Sequence, residues 1–227
     1  MNDYAFTFCG AAVAARPDGS LWWPVPRILC VSDLHLGKSE RIARRGGTLL
    51  PPYETQDTLW RLDQAISETN PATVICLGDS FDDLGAAMAL SEDTRSTIFR
   101  LQAGRRWIWI EGNHDPGPVD LGGSHLDELT IDQVTFRHIA LPDGRGEISG
   151  HYHPKAAVPG TSPRKCFLKD DNRLIMPAFG AYTGGLSVND AALADLMMPS
   201  ALAILTGRRS IALPAAATTF RRQKRRH

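Results

Sequence analysis

No run in this chain approaches the roughly 18 apolar residues that a membrane-crossing helix needs, and no membrane partner is expected. Cysteine is scarce: Cys9, Cys30, Cys76 and Cys166 show no C-x-x-C spacing, which excludes a small disulfide framework. An excess of one charge is also lacking. Lys and Arg number 25, Asp and Glu 25, for a formal net charge of zero. The global basic bias that often marks nucleic-acid binders is therefore absent, which counts against a large duplex footprint. No Gly/Ser or Pro-rich linker, internal repeat or low-complexity tract divides the 227 residues, so a single domain over 1–227 is expected. A signal peptide is not expected either. The mildly apolar stretch 4–15 follows Asp3 rather than basic residues, and the expected compartment is the cytoplasm, with Cys30 and Cys76 as reduced core thiols.

Hydrophobic residues make up 43% of the chain, enough for a sizeable core. Against that background stand five polar clusters, each at the end of an apolar run. They are Asp33-Leu34-His35, Gly78-Asp79-Ser80-Phe81-Asp82, Gly112-Asn113-His114-Asp115, His138, and Gly150-His151-Tyr152-His153. Taken singly, each has a bland reading. Asp-x-His is a common tripeptide, Asn-His-Asp before Pro116 reads as a turn, and Gly-His-x-His as an exposed loop. Their shared context changes this. The runs 27–32, 72–77 and 106–111 are short and rich in β-branched residues, as buried strands are, and 134–137 and 146–149 are weaker versions. Side chains placed at successive strand ends converge on one rim of a sheet.

Carboxylates, imidazoles and one amide are the ligand set of a two-metal hydrolytic site. Two cations roughly 3.5–4 Å apart need an anionic bridge, and Asp79 is the natural one. Mixed nitrogen and oxygen ligation suits manganese, iron or zinc better than magnesium or calcium.

The remaining elements follow from periodicity and punctuation. Residues 54–69 read as a helix with Leu59, Leu62 and Ile66 on one face and Asn70-Pro71 as its stop. A second helix starts near Ser91 and ends at Gly104. Residues 4–15, a turn at 16–20 and 21–23 read as one hairpin, and 165–169/173–177 and 201–206/210–213 as two more. Strand–helix alternation followed by hairpins means an α/β fold. Trp107 and Trp109 alternate with Ile108 and Ile110, which favours core over base stacking. His125 competes with His138 for the fourth cluster, and the apolar run before His138 favours the latter.

Together the five clusters resemble the calcineurin-like metallophosphoesterase superfamily, whose fold is a two-sheet αββα sandwich. The resemblance implies that Asp33, His35, Asp79 and His153 hold one metal, and Asp79, Asn113, His138 and His151 the other. It implies that His114 faces the scissile phosphate as the catalytic acid, that Asp82 orients His114, and that a water held between the metals attacks phosphorus in line. Residues 50–55, 76–81, 150–155 and, most specifically, Pro177-Ala178-Phe179-Gly180-Ala181-Tyr182-Thr183-Gly184-Gly185 resemble the bacterial ligase-associated DNA-damage-response metallophosphoesterases. That group shares its catalytic core with double-strand-break repair nucleases. Two departures are Gly37, where Glu often follows Asp-Leu-His-Leu, and Tyr152, where Leu is usual.

The activity thus implied is a manganese-dependent DNA endonuclease of repair, with iron or zinc as other possible metals. Its partners would be single-stranded or flapped DNA and, functionally, a DNA ligase and a helicase. A phosphomonoesterase or small-nucleotide phosphodiesterase using the same metals is the alternative, and a vestigial scaffold is argued against by the intact ligand set. No long insertion resembles a cap, which leans towards DNA. Arg41, Arg44 and Arg45 follow the first cluster and are expected at the phosphate backbone, with Tyr53 and Tyr182 as further candidates for substrate contact. The basic tail 221–227 reads as a disordered extension or a phosphate contact.

Overall fold

The computed structural model describes residues 2–44 and 53–218. Seven strands make the first sheet in chain order: β1 (Tyr4–Phe8), β2 (Ala11–Ala15), β3 (Leu21–Trp23), β4 (Ile28–Ser32), β5 (Thr73–Leu77), β6 (Arg106–Ile110) and β7 (Ser124–Leu126). The strands pair antiparallel up to β4, then parallel from β4 to β7. The second sheet contains β8 (Glu128–Ile131), β9 (Val134–Arg137), β10 (Glu147–Ser149), β11 (Lys155–Ala156), β12 (Arg164–Lys169), β13 (Arg173–Ile175), β14 (Leu202–Leu205) and β15 (Ile211–Pro214). Its order is β15-β14-β12-β13-β10-β9-β8, with β11 paired to β12, and β9, β10 and β13 run parallel.

Alternation along the strands sets the layers. Ile28, Cys30, Ile75, Leu77, Ile108 and Ile110 meet Phe136, Ile148, Phe167 and Leu174 between the sheets. Leu29, Val31, Val74, Cys76, Trp107 and Trp109 bury the other face of the first sheet. Both faces of β4, β5 and β6 are covered, which is why these strands are nearly continuous apolar runs. The covering helices are α2 (Glu54–Thr69), through Leu59, Leu62 and Ile66, and α4 (Glu92–Gln102), through Ile98 and Leu101. Helix α2 ends on Asn70 in the left-handed region (φ 45°), and α4 begins on Ser91, whose hydroxyl accepts from the Thr94 amide. Two short helices, α1 (Lys38–Arg44) and α3 (Leu84–Met88), follow the first and second clusters. The outer face of the second sheet is covered by Val188, Ala201, Ala215 and Leu193 of α5 (Ala191–Ala194), a single turn. The αββα sandwich is therefore thin on that side.

One expected hairpin differs. Residues 4–15 are two strands, β1 and β2, joined by a two-residue turn at Cys9 (φ 47°) and Gly10 (φ 81°), with β3 as the third strand of a meander. An uninterrupted mildly apolar run hid the turn.

Candidate metal centre

The five clusters meet at one rim. Asp33, Asp79 and Asn113 follow the carboxyl ends of the adjacent parallel strands β4, β5 and β6. His138 follows β9, and His151 and His153 follow β10. The second sheet joins the rim where the Gly150 amide donates to the His138 carbonyl and the His151 amide donates to the Asp33 carboxylate at 3.0 Å.

The loops behind the first two clusters are zipped together. The Asp33 amide donates to Gly78, His35 to Asp79, Leu36 to Ser80, and Asp82 back to Leu36. This matters because Asp33, His35, Asp79, His151 and His153 all have φ between 45° and 68°. For residues with a Cβ, that conformation costs on the order of 1–2 kcal/mol each, and it persists only where neighbours over-determine it.

Three groups of donor atoms lie within 4.8 Å of one another: Asp33, His35 and His153; Asp79, His138 and His151; and His35, Asp82 and His114. Hydrogen-bond bookkeeping tests whether the first two suit cations. His138 Nδ1 lies 3.3 Å from the Leu77 carbonyl, so it carries the proton in the neutral ring and Nε2 carries a lone pair. That Nε2 faces Asn113 Oδ1 at 3.1 Å and Asp79 Oδ2 at 3.3 Å, three acceptors with no donor among them. At the other group His35 Nδ1 lies 3.0 Å from Asp82 Oδ1, which leaves Nε2 facing His153 Nε2 at 3.4 Å, itself 3.0 Å from Asp33 Oδ1. Converging acceptors repel unless a proton or a cation lies among them. The residues fit two divalent cations.

Without cations, protons take their place. Burial pushes His138 down, but Asp79 and Asp33 outweigh it and hold the ring above its ordinary value. Asp79 is raised by burial and lowered more by His138 and the His114 amide, to about 2. Asp33 is likewise driven up by burial and further down by His153, His138 and Ser32. His151, next to His138, is lowered by burial and by that neighbour.

A family model for calcineurin-like phosphoesterases matches residues 26–177. The chain belongs to the calcineurin-like phosphoesterase family. It is thus a metal-dependent phosphoesterase, a hydrolase. The nuclease MPE of Pseudomonas putida is similar at 28% identity with a TM-score of 0.75, over 93% of this chain and 100% of that one. A conserved uncharacterized protein of Streptococcus pneumoniae TIGR4, described as a predicted phosphoesterase, matches at 15% identity and a TM-score of 0.34, over 82% of this chain and 95% of its own. No curated protein matches this chain.

Within this phosphoesterase, Asp82 differs from expectation. Its buried carboxylate lies against His35 Nδ1 and pairs with Arg41, with Lys38 at 3.9 Å, while His114 Nδ1 sits 2.9 Å from the Asp82 backbone carbonyl. The carboxylate orients His35, and the carbonyl orients His114. Arg41, expected at the phosphate backbone, is committed to Asp82 instead. The side chain of Arg44, together with Arg45 and the tail 221–227, lies outside the described residues. Tyr53 precedes α2 and is 65% exposed, and Tyr182 (φ 55°) is 49% exposed. His125 lies on β7, stacked on Trp109 with ring centroids 6.3 Å apart, away from the donor groups, and both Trp107 and Trp109 are core.

Two further supports emerge from the fold. Asp115 of the third cluster accepts from the amides of Gly112, Ser80 and Phe81 and so ties the second cluster to the third. The motif 177–185 is a strap behind the first cluster: Phe179 and Gly180 amides donate to the carbonyls of Ser32 and Asp33. A Cβ on Gly180 would lie 2.1 Å from the Leu34 carbonyl, so no other residue allows the approach. Among the described residues no helix is long and apolar enough to cross a membrane.

Proposed function

We propose that the protein is a manganese-dependent endonuclease that cuts single-stranded or flapped DNA in repair, in the cytoplasm, alongside a DNA ligase and a helicase. The observation that carries this reading is the likeness to the Pseudomonas putida nuclease, which extends over 100% of that chain and so well beyond residues 26–177. Mixed imidazole, carboxylate and amide donors favour manganese, iron or zinc over magnesium. The exposed Tyr53 and Tyr182 offer stacking faces to unpaired bases.

In this reading Asp33, His35, Asp79 and His153 hold one cation, and Asp79, Asn113, His138 and His151 the other. Bound there, the cations would acidify water and neutralise charge on the phosphoryl oxygens. The protein's own groups do the rest. Asp82 Oδ1 and the Leu77 carbonyl fix the Nδ1–H tautomers of His35 and His138, aiming both Nε2 lone pairs inward. The Asp82 carbonyl does the same for His114, whose Nε2 is then free to hold a proton for the departing oxygen of the diester.

Protein stripped with a chelator and reloaded separately with manganese, iron(II), zinc or magnesium should nick circular single-stranded DNA best with manganese and act poorly on p-nitrophenyl phosphate. Rapid consumption of the monoester while the circle survives would overturn the reading.

A further inference from the structure

The strap gathers positive charge. Arg61 Nη1 donates to the Phe179 carbonyl at 2.8 Å, Lys165 Nζ to Gly180 at 2.6 Å, and Lys155 Nζ to Thr183 at 3.1 Å. Among the described residues none of these three basic side chains has a carboxylate within ion-pair distance. Each is at least partly buried, where a cation without a counter-charge is costly. Lys165 is close enough to feel Arg61, Lys155 and Asp33, and burial together with the two cations lowers it to about 7. The strap adjoins the candidate metal centre directly: a Cβ on Gly185 would lie 2.2 Å from the His153 carbonyl.

Beside these cations the strap presents unused donors. The amides of Tyr182, Thr183, Gly184 and Gly185 donate to no protein acceptor among the described residues, and Gly184 faces open space. Tyr182 is left-handed (φ 55°), and turns with successive free amides around such a residue can bind anions. Lys155 has three donors and uses one on Thr183.

The opposite flank is different. Next to Asn113 and His138 lies a cleft of about 330 Å³ lined by Glu111, Asp127 and Glu128. Its one cation, Arg137, is already held by Glu128 at 3.0 Å and Glu147 at 3.5 Å. A strand of phosphates would meet unpaired positive charge on the His153 side and negative charge on the His138 side.

We propose that Lys155 and the free amides of 182–185 bind the phosphate flanking the scissile one, so that a nucleic-acid strand leaves the metal centre over the strap and not along the cleft beside His138. This rests on the nuclease reading above and adds a direction to it. The ligand is a phosphodiester oxyanion carried on a longer strand.

Equilibrium binding of a fluorescent single-stranded 20-mer to the metal-free full chain, across a salt series, is the direct test. Lys155→Met should weaken binding tenfold or more and reduce the salt slope by about 0.7, one single-strand phosphate contact. Lys155→Arg should restore most of both, which a purely structural role for the ammonium would not do. Glu128→Gln, in the acidic cleft, should change affinity less than twofold. With manganese bound, Lys155→Met should lose at least tenfold more kcat/KM on the 20-mer than on bis(p-nitrophenyl) phosphate, which carries no flanking phosphate. If Lys155→Met leaves the slope unchanged, or costs both substrates equally, or if Glu128→Gln moves binding as much, the subsite is wrong while the nuclease reading stands. If the wild type itself neither binds nor cuts the 20-mer, both fall together, and that result precedes any variant.

Discussion

Asp33, Asp79 and Asn113 stand at the ends of three neighbouring five-residue strands, whereas His138 and His151 follow strands of four and three residues. The first half of the site is braced from loop to loop by backbone amides. Its loops are zipped to each other, and Asp115 and Asp82 receive amides or cations from the same few segments. The second half is braced by buried side-chain charge and by the strap. Glu147, at the start of β10, faces Arg137 of β9 and Arg173 of β13 and accepts from the Leu141 amide. The strap, some 30 residues further along the chain, backs His153. One rim is therefore assembled by two strategies: backbone-amide capture between neighbouring loops on the first sheet, and buried side-chain charge with the strap's packing on the second.

His114 is where the amide-braced half should matter most. Its Nδ1 is held by a backbone carbonyl, which no side-chain substitution removes. His114→Ala should keep both metals, by elemental analysis, while turnover on DNA falls about 100-fold or more, the usual contribution of a general acid. The loss should shrink on a nitrophenolate leaving group, which needs little protonation. Equal losses on both would assign His114 to binding.

A paired substitution sharpens the contrast between the halves. Asp82→Ala removes the partner of His35 Nδ1, so metal affinity measured by titration calorimetry should drop about 10- to 100-fold, the range for such outer partners. Glu147→Leu leaves Arg137 and the buried Arg173 without their shared carboxylate. It should cost about 3 kcal/mol or more in denaturant unfolding, as breaking a buried pair does, with metal affinity per folded molecule little changed. Were the two variants to show the same pattern, the division between loop-to-loop bracing and buried-charge bracing would fail.

The sequence is legible where the signal lies within one segment. Runs buried on both faces announced β4, β5 and β6, and the clusters at their ends were visible because a motif keeps its chemistry within five residues. Ser91 and Asn70-Pro71 placed two helix ends for the same reason. What stayed hidden is long-range. Nothing near Asp82 says whether its carboxylate meets His35 or His114, since both are brought to it by folding. Arg41, expected at the phosphate backbone from its place after the first cluster, is claimed instead by a buried carboxylate on the next loop. Lys155, Lys165 and Arg61 come from three elements and share only the strap. The thin outer layer over the second sheet, a four-residue helix with irregular chain, carries too weak a period to read.

The smallest effect expected is a pH dependence that isolates the strap. Lys165 is lowered from its ordinary value of 10.5 to about 7, by burial first and then by Arg61 and Lys155, while Asp33 and Asp57 oppose the shift. Between about pH 7 and 10.5 the unfolded chain holds this proton and the native one does not. Stability contributed at this position therefore rises with pH across that window, because the unfolded state binds more protons. Below about pH 7 both states are protonated and the buried ammonium opposes folding in full. Lys165→Met removes the titration while the tyrosines and cysteines stay common to both proteins. The melting temperature of the variant minus that of the wild type should be most positive near pH 6 and fall steadily towards pH 10, by a few degrees in all. A flat difference would mean that Lys165 keeps its proton in the native state, and that the strap is held by an ordinary surface lysine instead of a buried one.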